Sequence, residues 1–84
     1  MTFEEKIKDI IQNYDLGNFL KAESIAKRLL TRNAKDYQLC NICGLILLKL
    51  NKIEGAISYF QKSIHIKSDF FEAHFHLLQS FYDL

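Results

Sequence analysis

The reactive side chains that fall close together in this sequence are its two thiols and two of its three imidazoles, spaced as Cys40-Asn-Ile-Cys43 and His74-Phe-His76. Two thiols at that spacing can form a redox pair or half of a zinc site. Zinc takes about four ligands, and no second cysteine pair or paired histidines complete the set. A thioredoxin-like use of the pair needs a βαβ frame, for which the sequence offers no pattern. His74 and His76 are two apart, so on a helix they point to different faces. No metal site and no cofactor are expected. The sequence also lacks a Gly-rich phosphate loop, a nucleophile elbow and a His-Glu metal motif. No catalytic residues are assigned, and the chain reads as a non-enzyme. Asp15, Glu23 and Glu54 fall at helix ends or on exposed faces, where solvation accounts for them.

The elements that carry these residues follow from composition and periodicity. With 84 residues the chain is one domain at most. Apolar residues make up 49% and include seven Phe, which argues against disorder. There is no Pro and only three Gly, too few breakers for a β-sandwich with many tight turns. Eleven Lys and Arg balance ten Asp and Glu, leaving +1, which is not the footprint of a nucleic-acid binder. Lys27, Arg28, Arg32 and Lys35 read as a solvated helix end, with cations near the C-terminal dipole. The start, Met-Thr-Phe-Glu-Glu-Lys, is charged and unlike a secretory segment. The stretch Leu39 to Leu50 is interrupted by Asn41 and Lys49 and is too short to span a bilayer, so no membrane insertion is expected. Two Cys without a signal segment point to a reducing, cytoplasmic setting.

Helical spacing is clearest in the middle. Leu39, Cys40, Ile42, Cys43, Leu47 and Leu50 mark a helix over Tyr37–Lys49, opened by Asp36 as N-cap. After a break at Asn51-Lys52, the residues Ile53, Ala56, Ile57, Phe60 and Ile64 mark a second, Ile53–Ile66. So short a break sets the two antiparallel. A step of 34 residues carries Tyr37, Cys40, Cys43, Gly44 and Leu47 onto Phe71, His74, Leu77, Leu78 and Phe81. Asp69 and Glu72 read as a capping box for that last helix. The reverse step carries Ile53, Ala56, Phe60 and Ile64 onto Phe19, Ala22, Ala26 and Leu30, a helix over Asn18–Thr31. The first helix, Phe3–Tyr14, has Thr2 and Glu5 as a capping box and Ile7, Ile10, Ile11 and Tyr14 as its stripe. That stripe aligns best if the turn before Gly17 is one residue shorter than its later counterpart. Cys40, Cys43 and His74 all take core positions in this scheme.

The period of 34 residues in helix–turn–helix units resembles the tetratricopeptide repeat family. Gly44 and Ala56 fall on the family's small positions, Phe60 on the bulky one, and Cys40, Cys43 and Leu47 on apolar first-helix positions. Glu72-Ala73, Leu77 and Phe81-Tyr82 fit the same pattern. The departures are Cys40 and His74 in place of the frequent Trp, Ala34 and Ser68 in place of Pro, and Leu78 at a small position. The resemblance implies an all-α, right-handed stack of antiparallel helical hairpins, a solenoid of five helices. Residues 3–34 form repeat 1, residues 37–68 repeat 2, and residues 70–84 a half repeat or terminal helix, within one domain over residues 1–84.

By that resemblance the first helices line a concave groove that binds a peptide or helix. The candidates are Lys8, Gln12, Gln38, Asn41, Ile42, Leu45, Glu72, Phe75, His76 and Gln79. Lys8 and Gln12 match part of the family's carboxylate clamp, but Ile42, Glu72 and His76 do not complete it, and Glu72 repels a carboxylate. The mixed lining suits an amphipathic segment instead. The last helix is apolar on more than one face, where a terminal helix needs a polar outer side. Phe71, Phe75, Leu78, Phe81 and Tyr82 are therefore candidates for self-association, giving a homo-oligomer through the C-terminal helix. The expected function is protein or peptide binding or self-association. The alternative is the N-terminal repeat segment of a larger enzyme, such as a transferase.

Overall fold

A computed structural model describes residues 1–84, and it is all-helical. Five helices follow one another: α1 (Phe3–Asp15), α2 (Phe19–Arg32), α3 (Tyr37–Lys49), α4 (Ile53–Ile66) and α5 (Phe71–Asp83). Packing is mainly between consecutive helices, with a smaller contact between α3 and α5. The hairpins α1–α2 and α3–α4 thus stack side by side, with α5 on the outside of α4.

The starts of α1, α3 and α5 lie at residues 3, 37 and 71, and their ends at 15, 49 and 83. The limits of α2 recur in α4 at the same 34-residue interval. The turns repeat too. Gly17 and Asn51, at equivalent positions, both take positive φ, at 82° and 60°. In each turn the next amide reaches back five residues, Asn18 to Asn13 and Lys52 to Leu47, at 2.8 Å. This closes the first helix of the hairpin with a left-handed residue and satisfies its free carbonyls. The turn before Gly17 is therefore not shorter than its counterpart. The stripe of α1 consequently runs through Ile10 and Asn13, and Ile11 is nearly half exposed.

Helix starts follow the sequence twice out of three. Thr2 and Glu5 form a reciprocal capping box, and the Asp36 side chain accepts from the Leu39 amide. At α5 the N-cap is Phe70, with no side-chain cap. Phe70 packs edge-on against Tyr37 with ring centres 4.8 Å apart, and Asp69, one residue earlier, pairs with Lys67 at 3.1 Å. The anticipated Asp69–Glu72 box does not form because the aromatic contact sets the helix start one residue later.

Two clusters make the core. One joins Ile10, Ala22, Ala26, Leu29 and Leu30 to Leu39, Cys40, Cys43 and Ile46. The other joins Leu47, Ala56 and Phe60, with Leu77 of α5 against it. Their junction is a close approach of α4 to α3. A Cβ on Gly44 would lie 2.7 Å from Cδ1 and Cζ of Phe60, whose ring is wholly buried. Only glycine leaves room for the ring, and burying such a ring contributes about 1.5–3 kcal/mol. One repeat earlier the sizes are exchanged: Ile10 takes the Gly44 position and Ala26 the Phe60 position, both fully buried.

Gly44→Ala should destabilise the fold, because overpacking costs about 1–3 kcal/mol against the ~1 kcal/mol gained in helix propensity. In a Phe60→Ala background the same change should be neutral or stabilising. Urea unfolding of the two single variants and the double variant checks this, and equal effects in both backgrounds would remove the steric account.

Candidate functional site

The cysteines belong to the core. Cys40 and Cys43 are buried on α3, and neither has a disulfide partner. Burial pushes the Cys43 thiol up to about 12, and burial also raises Cys40. Such thiols stay protonated near neutral pH and are poor nucleophiles. No three His, Cys, Asp or Glu side chains gather into a possible metal cluster.

His74 departs from its expected core position. It is exposed, and its Nε2 lies 2.8 Å from the Ser68 carbonyl. Its counterpart Cys40 is fully buried. The inner side of α5 is instead formed by Ala73 and Ser80, both fully buried, with His76 and Leu77 partly covered. These are the counterparts of Leu39, Ile46, Ile42 and Cys43, the side of α3 turned toward the earlier helices.

The other side of α3 lies under α4. Ser63 donates a 2.7 Å hydrogen bond to the Tyr37 carbonyl, Phe60 abuts Gly44, and Leu47 shares a cluster with Ala56 and Phe60. The matching residues of α5 have nothing over them. Phe71 is 77% exposed, Phe75 65%, Leu78 60%, Phe81 52% and Tyr82 85%. These residues recur at helical spacing and form one apolar stripe. All five candidates for self-association thus lie together on the outer face of α5.

The groove candidates are more scattered. A concavity of about 330 Å³ runs across the first helices, lined by Tyr14 of α1, by Leu45, Leu48 and Lys49 of α3, and by His76, Gln79 and Asp83 of α5. Leu45, His76 and Gln79 are groove candidates of the sequence; Tyr14, Leu48, Lys49 and Asp83 join them only in the structure. Lys8, Gln12, Gln38 and Glu72 are exposed outside this concavity, Ile42 is partly covered, and Phe75 belongs to the outer stripe. Asn41 is buried and occupied: its Oδ1 accepts from His76 Nδ1 at 3.1 Å, tying α3 to α5. The His76 ring also lies 5.5 Å from Phe60 and 5.6 Å from Phe75, centre to centre, so it joins the groove to both core and outer stripe. No protein-family model and no curated protein matches this chain.

Two polar residues escape a reading by hydropathy. Asn13 is buried in the register of Leu47, and its amide donates to the Asp9 carbonyl at 2.8 Å. Glu23 is not merely solvated: its Oε2 holds Lys27 at 3.1 Å and Lys52 at 3.3 Å, linking α2 to the start of α4. Burial raises the Glu23 carboxyl, but the two lysine hydrogen bonds outweigh it and hold the group below the ordinary range. The spacing of Glu23 and Lys27 carries a signal for the first pair; the link to Lys52 needs the repeat register.

Two measurements follow. Alkylation at pH 8 should leave both thiols unmodified in the folded protein and label both in denaturant, by intact mass. His76 is held below the ordinary imidazole range by burial, with Glu72 drawing it partly back. The unfolded chain therefore takes up this proton at higher pH than the folded one. Stability should be fully present above about pH 6.5 and fall as pH drops through the lower folded value. His76→Gln should flatten the fall in urea midpoint between pH 7.5 and 5.5, and an unchanged slope would assign it elsewhere.

Proposed function

We propose that this chain is a protein-binding module, a helical repeat resembling the tetratricopeptide family, whose principal docking surface is the outer face of α5. One observation carries this reading. The positions Phe71, Leu78 and Phe81 are exposed, whereas their counterparts at the 34-residue interval, Tyr37, Gly44 and Leu47, lie beneath α4. The same chain thus covers this kind of face with a helix where one is at hand. An apolar stripe of this size on a small protein marks an interaction surface, and a helix laid along it is the form of partner that the register suggests.

The concavity between α1, α3 and α5 supports a second, weaker contact for an amphipathic segment. Leu45 and Leu48 offer apolar footing there, with Lys49, Gln79 and Asp83 as polar neighbours. No helix is long and apolar enough to cross a membrane.

Titration of an amphipathic helical peptide into isotope-labelled protein at low micromolar concentration tests the reading by NMR. Shifts should concentrate on Phe71, Phe75, Leu78 and Phe81, with smaller ones at Leu45 and Gln79. Shifts confined to α1 and α2, or none with peptides of several lengths while the protein is monomeric, would overturn it.

A further inference from the structure

Resting on the α5 outer face as the docking surface, we propose that its occupant is a second copy of this chain, packed α5 against α5 about a two-fold axis. The first support is area. With roughly 200 Å² per aromatic side chain, the exposed parts of Phe71, Phe75, Phe81 and Tyr82 come to about 500–600 Å². Leu78, also largely exposed, brings the face to roughly 650–700 Å², within the ~600–1,000 Å² that each partner gives to an ordinary stable interface. The stripe therefore suffices for a dimer without help from another surface.

The second support is the contrast between the two ends of the stack. On α3, the side toward the earlier helices is Leu39, Ile42, Cys43 and Ile46. On α1 the same register positions are Glu5, Lys8, Asp9 and Gln12, all at least partly exposed. A second copy stacked head to tail would bury these charges against the α5 stripe, which is costly without partners. Between head-to-tail stacking and a contact of like faces, the second is therefore favoured, and such a contact is two-fold and closes at two.

Side-chain order along α5 fits an antiparallel pair. With the axis between residues 76 and 77, Phe71 lies beside Tyr82 of the partner subunit and Phe75 beside Leu78 of the partner subunit. At the register of Gly44, α5 carries Leu78, so it offers no recess for a ring of the kind that Phe60 occupies beside α3. A helix on this face stands farther off than α4 does on α3, at the distance where large side chains interdigitate. The five stripe residues are uncharged, and Glu72 and Asp83 flank them, so no like charges meet at the centre.

Sedimentation equilibrium from low micromolar to near-millimolar protein decides the matter, with circular dichroism confirming helix content. The wild-type chain should approach twice its 9.9 kDa mass and not exceed it. Phe75→Glu should raise the dissociation constant at least about a hundredfold, since it removes a central aromatic anchor and buries a carboxylate. Leu20→Glu, an exposed apolar site on α2, should leave the dimer intact. If Phe75→Glu loses helix content, Tyr82→Lys serves in its place. A wild-type chain monomeric throughout, a ladder of larger species, or a dimer unaffected by these α5 changes would each overturn the proposal. A monomer whose α5 signals still shift with helical peptide would leave the docking surface standing and make its occupant foreign. A monomer whose α5 signals do not shift would remove both.

Discussion

The contact of the Phe60 ring with the bare Cα of Gly44 sets the distance between the two central helices. Once α4 lies that close to α3, Leu47, Ala56 and Phe60 share one cluster, and Ser63 reaches the Tyr37 carbonyl. The orientation of α5 follows, because Leu77 packs on that cluster and His76 lies against Phe60. The first hairpin solves the same problem with the sizes exchanged, Ile10 against Ala26. The pair is conserved in volume more than in identity, as close packing requires.

Much of this was legible in the sequence, and for physical reasons. The limits of α3 and α4 follow from apolar spacing and from Asp36, a side chain that can do little else at a helix start. The five-helix, all-α architecture follows from the 34-residue step, which binds distant segments to one pattern. The failures came where a single contact outweighed a local rule. Ile11 drew the α1 stripe out of register, although the left-handed turn at Gly17 repeats that at Asn51. Phe70 displaced the Asp69–Glu72 cap by packing on Tyr37. Register alone puts His74 in the core, but register cannot bury a side chain when no helix lies over it.

The candidate surface was legible in a different way. That α5 carries too many aromatics for a solvent-facing helix is visible from composition and spacing. Which of its faces is open depends on where α4 packs, and that is tertiary information. The groove was less legible still, because its lining mixes residues from three helices. Asn41 shows why: its side chain suits a ligand contact but is taken up by His76.

One further consequence lies in the order of contacts along the chain. Each helix leans chiefly on its neighbours in sequence, and the most distant contact of any size joins α3 to α5. No strand or helix must wait for a segment from the far end of the chain. The entropy of closing loops is therefore small at every step, and such local topologies fold quickly. The first hairpin holds most of one cluster before α5 exists on the growing chain. Its assembly can begin during synthesis, so that α5 meets a core already in place to receive its inner side.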